Sequence, residues 1–341
     1  MQPIHYPHAA PLPTGEALEI AEGVMWLRLP LPMALDHVNC FAFDDGDGWT
    51  LVDTGFDTTR ARAIWEAALS GPLAGKPIHR VIGTHHHPDH IGLAGWFIDR
   101  GAELVMARTG WLMARMLRLD EQPAYPPETI RFYTRAGMDD TVLEKRKGER
   151  PFNYADCVAP MPVGYTQLIE GQSIAFGGRT WDVRLGGGHA ADHLTFWSRD
   201  DGLVIGGDQL LPKISANIGV YATEPDADPV SDWLAATARL APHAREDQLV
   251  LPGHKLPFTG LPRRMTEYRD HTHEALGRLH DWIATPRRAG DCFDPLFQRG
   301  IGAAEYGLAL VESIAHLNHL HQAGRAERTL GDDGAYWFTS I

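Results

Sequence analysis

The feature that most constrains this chain is a short run of metal-ligand residues between a predicted strand and a predicted helix. Residues 84–90 read Thr-His-His-His-Pro-Asp-His, a run with four potential metal ligands: His85, His87, Asp89 and His90. The apolar stretch 78–83 predicts a buried strand, and the apolar spacing within 91–99 predicts a helix. An α/β scaffold places functional groups on such strand-to-helix turns. Imidazoles and a carboxylate this close together favour zinc, manganese or iron.

Three more residues of metal-binding type follow predicted strands further along the chain: His189, Asp208 and His254. His189 comes after three glycines, and the other two come directly after apolar, strand-like runs. A solvated polar surface would not place such residues at three separate strand ends. We therefore interpret all seven residues as one metal site and not as a chance histidine-rich tract.

The order of these motifs resembles that of the binuclear hydrolases with the metallo-β-lactamase fold, and the resemblance extends from residue 53 to residue 254. It implies an α/β fold, a four-layer αββα sandwich with the metal site at one edge. It also implies two divalent metal ions with divided ligands: His85, His87 and His189 for the first, and Asp89, His90 and His254 for the second. Asp208 would bridge the two ions. Asp53 matches the family's buried aspartate, which would accept a hydrogen bond from a ligand imidazole.

The bridging position bears on the substrate, because true β-lactamases of this fold usually lack an aspartate there. Glyoxalase II-like thioesterases, lactonases and phosphodiesterases carry one, so Asp208 argues against antibiotic hydrolysis. His87 in place of a carboxylate argues against the di-iron, oxygen-reducing branch of the family. Nitrogen and oxygen ligands without a thiolate permit zinc, manganese or iron, and we expect zinc.

The expected chemistry is hydrolysis by a hydroxide held between two cations, since paired cations lower the pKa of a shared water. Asp89 and Asp208 would set the bridging geometry and relay a proton. We expect a zinc-dependent hydrolase of ester-type bonds, with thioesters of the acyl-glutathione or acyl-CoA type first among small-molecule substrates. The alternatives are a lactonase or phosphodiesterase at the same site, an RNA nuclease that uses the C-terminal domain, and a metal-binding protein without turnover.

The chain is expected to divide into a catalytic domain over residues 1–260 and a smaller domain over residues 261–341. Between residues 108 and 165 the sequence predicts two or three inserted helices rich in aromatic and methionine residues. Such an insertion either overhangs the metal site, with Trp111 and Met116 lining the substrate pocket, or packs as ordinary helices with a basic tip. Flexible methionines suit a mixed apolar substrate.

Residues 261–341 predict three helices followed by a β-hairpin, an order that is winged-helix-like. Winged helices often bind nucleic acid, which requires a positive surface. This region has nine arginines and no lysine against eleven acidic residues, and the whole chain carries a net charge of −13. We therefore expect no nucleic-acid partner, and a domain that serves as a wall of the site or as a homodimer contact.

Three further residues near the ligands have open roles. His86 should point away from its neighbours and act structurally. His193 either contacts substrate or hydrogen-bonds within its turn. Lys213 follows Asp208 in a segment that should border the cavity, where it could attract an anionic substrate.

The compartment expected is the cytoplasm. No apolar run approaches the ~18 residues of a membrane span. Met1 to Ala10 lack the basic and apolar regions of a secretory signal. Cys40, Cys157 and Cys292 are few, odd in number and far apart, so we expect free thiols and no membrane association.

Overall fold

Seven strands form the first sheet, in the order in which they follow one another along the chain. The computed structural model describes residues 2–8 and 16–341; part of the Met1 to Ala10 segment lies outside this range. The strands are β1 (Ala17–Ala21), β2 (Val24–Pro30), β3 (His37–Asp44), β4 (Trp49–Val52), β5 (Ile78–Ile82), β6 (Glu103–Ala107) and β7 (Thr166–Leu168). Strands β1 to β4 pair antiparallel, and β4 to β7 pair parallel. Parallel neighbours bring the loops that follow β4 and β5 to the same edge of the sheet.

The second sheet has five strands in the order β12-β11-β10-β9-β8. They are β8 (Ser173–Phe176), β9 (Arg179–Leu185), β10 (Leu194–Ser198), β11 (Leu203–Gly207) and β12 (Leu249–Pro252). Only the β11–β12 pair is parallel, and a helical crossover joins these two strands. The loops that follow β11 and β12 therefore also leave the sheet side by side.

Each sheet buries both of its faces, which produces four layers. On β2, Trp26 packs between the sheets while Leu27 packs under the outer helices. On β11, Ile205 faces the space between the sheets and Val204 faces the helices of the second side. Since side chains alternate along a strand, near-continuous apolar strands mean that both faces are covered. The α/β four-layer prediction is confirmed.

Helices cover the outside of both sheets. On the first side they are α1 (Thr59–Ser70), α2 (Pro88–Ile91), α3 (Ala94–Ile98) and the inserted α4 (Arg108–Leu119). The other two inserted helices, α5 (Pro127–Arg135) and α6 (Asp140–Lys147), pack into the core of the second side. The remaining helices of the second side are α7 (Pro229–Leu240), α8 (Leu261–Trp282), α9 (Phe293–Phe297) and α10 (Tyr306–Gln322). Helix α7 is capped by Asp228, whose carboxylate accepts from Ser231 N at 3.0 Å.

One prediction about a helix was wrong. The single helix expected over residues 91–99 is two short helices, because Leu93 N donates to Gly55 O at 3.1 Å instead of continuing the first helix. The strand Thr166–Leu168, which follows the insertion, closes the first sheet against β6. A three-residue strand carries too little pattern to indicate which sheet it joins.

The C-terminal region ends in a hairpin of β13 (Ala326–Leu330) and β14 (Tyr336–Ser340). Its helices share one apolar core with the outer face of the second sheet, and that core includes Val204, Trp233, Leu276 and Leu317. All three cysteines are free and buried, as expected. Within the described ranges, no helix is both long enough and apolar enough to span a membrane.

Candidate metal centre

The seven residues predicted as metal ligands converge at one edge of the two sheets. They lie in the turn after β5, in helix α2 and in the loops that follow β9, β11 and β12. Their ligand atoms form three groups, within each of which the atoms lie within 4.8 Å of one another: His85, His87 and His189; Asp89, His90 and His254; and His85, His90 and Asp208. The third group takes one imidazole from each of the others, so Asp208 lies between two histidine-rich groups.

Asp208 is buried and surrounded by imidazoles. Its Oδ2 lies 3.3 Å from His254 Nε2 and 3.4 Å from His189 Nε2, and its Oδ1 lies 3.4 Å from His90 Nε2. Asp89 Oδ2 lies 3.3 Å from His254 Nε2. Two carboxylates within reach of the same imidazole nitrogens form a compact set of hard and borderline donors, which suits two divalent cations.

Four of the candidate imidazoles use Nδ1 for hydrogen bonds to the protein. His85 Nδ1 donates to Thr84 Oγ1 at 3.0 Å, and His90 Nδ1 donates to Asp53 Oδ2 at 2.7 Å. His189 and His254 donate to backbone carbonyls, each at 2.8 Å. A histidine whose Nδ1 carries the proton presents the Nε2 lone pair, and such partners fix the ring of a metal-bound histidine.

Several buried atoms of the cluster have no hydrogen-bond partner among the described residues, as expected for atoms that bind metal ions. Among the seven candidate ligands, all of them described, four buried atoms lack a hydrogen-bond partner: His85 Nε2, His90 Nε2, His189 Nε2 and Asp208 Oδ1. Buried polar atoms left without a partner cost roughly 1–3 kcal/mol each. That all four point into one cluster is explained if they are ligand atoms.

Protons and cations compete for the same nitrogen atoms. Burial lowers the pKa of His90, but the neighbouring Asp208, Asp89 and Asp53 outweigh it and hold the pKa well above the ordinary value. In the same way the two carboxylates Asp208 and Asp89 overcome burial and raise the pKa of His254 to about 10. Because a metal replaces these protons, metal affinity should fall with falling pH.

Asp53 supports the site from the end of β4. Its carboxylate accepts from Thr84 N and Thr84 Oγ1, each at 2.9 Å, in addition to His90. Its φ of 61° lies in the left-handed region, which aspartate tolerates better than most residues. The predicted role for Asp53, to accept from a ligand imidazole, matches this geometry.

Strand β3 holds the loop that carries His254. The His254 ring donates to His37 O, and the backbone N of Lys255 donates to His37 Nε2 at 3.1 Å. Asn39 Nδ2 donates to Pro252 O and Lys255 O, both at 2.9 Å. Sequence reasoning missed His37 and Asn39, since nothing local links β3 to a loop more than 200 residues further on.

Helix α10 holds the loop behind His189. The carbonyl that accepts from His189 Nδ1 belongs to Asn217, whose side-chain amide donates to Glu312 Oε2 at 2.6 Å. Val220 N also donates to Val311 O, at 3.1 Å. The C-terminal region therefore supports a candidate ligand directly, which the sequence did not reveal.

Close packing at the cluster requires glycine at one position in particular. A Cβ on Gly253 would lie 2.3 Å from Asp208 Oδ1 and 2.7 Å from His90 Cε1. No side chain fits at that distance, so the glycine before His254 is needed for the backbone to approach the carboxylate.

Two further histidines, His193 and His86, lie beside the candidate ligands. His193 is fully buried, where its Nε2 accepts from Asp208 N at 3.1 Å and its ring stacks on His85. This burial, with a hydrogen bond from its Nδ1 to Leu194 O at 3.1 Å, favours the second of its two expected roles, hydrogen bonding within its turn. His86 is among the residues that line the cavity beside His87 and His189, and its structural role stays a prediction.

Two cavities flank the cluster. The metal-side cavity, of about 480 Å³, is lined by His86, His87 and His189 together with Thr109, Met113, Gly186–Gly188 and Tyr221. The basic cavity, of about 680 Å³, is lined by His37, Lys213 and Lys255, with Arg28, Arg264 and Glu267. Lys213 thus lines the basic cavity, whose lining includes none of the seven candidate ligands. Trp111 and Met116 line neither: Trp111 stacks on Tyr165, and Met116 lies exposed.

This geometry agrees with what comparison with known proteins shows. The model of the family described as "Metallo-beta-lactamase superfamily" matches residues 33–254, most of the chain. The chain belongs to this superfamily. A second model, described as "Metallo-beta-lactamase-like, C-terminal domain", matches residues 276–341. The predicted family is thus confirmed.

Relatives of this superfamily member cover almost its whole length. The "Probable metallo-hydrolase YqjP" of Bacillus subtilis is 27% identical over 308 residues, which are 88% of this chain and 92% of that protein. The crystal structure of a beta-lactamase domain protein from Burkholderia ambifaria has a TM-score of 0.91 at 35% identity, covering 99% of this chain and 98% of that one. A metallo-beta-lactamase family protein from Thermus thermophilus has a TM-score of 0.79 at 26% identity, over 95% of this chain and 100% of that one. Together with the His/Asp groups, these relatives support a metallohydrolase of the superfamily.

Proposed function

We propose that this chain is a binuclear, metal-dependent hydrolase of ester-type bonds, with thioesters of anionic acyl carriers as its first candidate substrates. The observation that carries the proposal is Asp208, a buried carboxylate between imidazoles of both histidine groups, with an Oδ1 that has no hydrogen-bond partner in the described chain. When bound, two divalent cations, zinc first and manganese or iron next, would lower the pKa of a water and polarise the substrate oxygen.

The protein's side chains would hold the two ions in place. His85, His87 and His189 would hold one ion, and Asp89, His90 and His254 the other, with Asp208 shared. The side chain of Asp89 is 17% exposed and that of Asp208 is 9% exposed. Asp89 and Asp208 would set the bridging geometry, and Asp89, the more exposed of the two, would relay a proton to the leaving group.

The two cavities support a substrate with two unlike parts. Met113 and Thr109 give the metal-side cavity a partly apolar wall for an acyl group. In the basic cavity, neither the Lys213 nor the Lys255 ammonium has an ion-pair partner among the described residues, so both are available to a carboxylate or phosphate on the carrier. Lys255 directly follows His254, and its φ of 68° is an unusual backbone conformation for lysine.

A substrate panel with elemental analysis tests the proposal. Acyl-glutathione and acyl-CoA thioesters, lactones, bis-p-nitrophenyl phosphate and short RNA would be offered to protein of measured metal content. We expect close to two ions per chain and the fastest turnover with a thioester. Full activity after metal removal would refute metal dependence, and faster cleavage of RNA than of every thioester would refute the substrate class and the charge argument behind it.

A further inference from the structure

A third cavity lies away from the metal ligands, in the angle between the insertion and the C-terminal region. It has a volume of about 350 Å³, and α5, the segment 222–226, α10 and the β13–β14 hairpin enclose it. Its floor is apolar and buried, formed by Phe132, Ile314 and Phe338. Cavities of roughly 300–1,000 Å³ are typical of small-molecule sites. We call this one the arginine cavity, after the side chains that line its rim.

Three guanidinium groups surround that apolar floor: Arg131, Arg135 and Arg328. Arg328 is held by Asp226 at 2.7 Å, and it lies with Arg135 against the ring of Tyr336. The guanidinium groups of Arg131 and Arg135 have no hydrogen bond or ion pair within the described ranges. Two positively charged side chains thus line the cavity without an acidic partner among the described residues.

The positions of these two arginines on α5 make an anion favourable. Residues four apart lie on the same face of a helix, where like charges cost about 0.2–0.5 kcal/mol. Glu128 and Asp226 are the acidic residues of the lining, and Asp226 is engaged by Arg328. A local excess of positive charge is unusual in a chain of net charge −13, so the charge here is a local feature and not a general property of the surface.

We propose that the arginine cavity binds a small amphipathic anion, with its apolar body against Phe132, Ile314 and Phe338 and its single anionic head between Arg131 and Arg135. A carboxylate and a phosphate share the required chemistry, since both accept the forked donors of guanidinium groups. The site is independent of the proposed hydrolysis.

The segment 219–228 separates this site from the metal centre. Ala222, Pro225 and Asp226 face the arginine cavity, whereas Tyr221 and Glu224 face the metal-side cavity. Asn318 Nδ2 holds the segment by donating to Pro225 O and Ala227 O, both at 3.0 Å. Binding in the arginine cavity therefore needs neither a metal ion nor a ligand residue.

Isothermal titration of the metal-loaded full chain tests the proposal. The probes are hexanoate, hexyl phosphate and hexanol, which share one apolar body and differ in the head. We expect saturable binding of at least one of the two anions and none of the alcohol, and the better anion identifies the head. Arg131→Gln with Arg135→Gln should weaken binding at least tenfold. Ala222→Leu, which fills the cavity without changing its charge, should weaken it as well.

A matched double variant controls for overall charge. Arg60 and Arg325 are exposed arginines that do not line the cavity, so Arg60→Gln with Arg325→Gln changes the net charge equally and should leave binding unchanged. Equal affinity in both double variants would overturn the proposal, as would equal binding of hexanol. Failure of both anions to saturate the wild-type protein would also overturn it. Thermal unfolding and metal content of each variant report whether the fold is retained.

Discussion

Asp53 Oδ2 accepts a hydrogen bond from His90 Nδ1 at 2.7 Å, in a pair that is almost completely buried. The carboxylate thereby fixes which ring nitrogen of His90 faces the cluster. Asp53→Asn should weaken the binding of one metal ion by about 10- to 100-fold, because partners of this kind set ligand orientation and basicity. Asparagine tolerates the left-handed backbone at this position, so the change tests the hydrogen bond and not the turn.

Asp57 offers the matched control for this substitution. It lies four residues further on, and its carboxylate pairs with Arg62 instead of a histidine. Competition with a chelator measures the affinity of both variants. If Asp53→Asn and Asp57→Asn retain metal equally well, Asp53 does not position a ligand.

Asp208 should determine whether the site holds one ion or two. Asp208→Ala removes the carboxylate that lies within 3.4 Å of three imidazoles. We expect the metal content to fall from about two ions toward one per chain, because the remaining ligands still include His85, His87 and His189. Elemental analysis after extensive dialysis measures this. Retention of two tightly held ions would exclude a bridging role.

Substrate preference should depend on Met113 and not on Met116. Both are on α4, but Met113 lines the metal-side cavity and Met116 is exposed to solvent. Met113→Ala should change the ranking of acyl groups in the substrate panel while leaving the metal content intact. Met116→Ala is the control for the helix. The same shift in both variants would mean that α4 acts through stability and not through contact.

The two lysines of the basic cavity should act on substrate binding. Lys213→Ala should raise KM for an anionic thioester by roughly tenfold, about 1.4 kcal/mol, with less effect on kcat. Lys255→Asn should do the same, since asparagine accepts the positive φ. Lys145 at the tip of α6 is a control that touches neither cavity. Kinetics at two ionic strengths would add the expected salt dependence, and an unchanged KM would leave the basic cavity without a role.

The parts of the fold that the sequence predicts are those that local pattern encodes. Apolar runs of strand length mark β5, β11 and β12, and each is followed by its ligand residues within a few positions. All seven residues could therefore be assigned to one site before any distance was known. The helix predicted over residues 91–99 is divided because a carbonyl from the distant Gly55 accepts from Leu93, which no helical periodicity reveals.

The supports of the site were not predictable for a similar reason. Asn217 and Glu312 are 95 positions apart, and the link from Asn217 to His189 runs through a backbone carbonyl that any residue could supply. Likewise, periodicity predicts that α4 is a helix, but how it docks decides that Met113 and not Trp111 lines the cavity. Such choices depend on tertiary packing.

Glu312 should make stability fall as pH rises. Burial raises the pKa of its carboxyl from 4.5 to about 7, and the hydrogen bond from Asn217 only partly offsets this. The folded protein keeps the proton that the unfolded chain releases near pH 4.5. The stabilisation is therefore complete below that pH and is lost as pH rises to about 7.

A pKa shift of this size corresponds to a loss of about 3 kcal/mol in the free energy of unfolding across that pH window. Glu312→Gln keeps an acceptor for Asn217 but cannot ionise, so wild type should lose about that much stability relative to the variant between pH 4.5 and 7. Denaturant unfolding at several pH values measures the difference. Glu327, exposed on β13, provides the control substitution Glu327→Gln. A constant difference between wild type and Glu312→Gln would show that Glu312 is already ionised in the folded protein, and that the support behind His189 carries a negative charge.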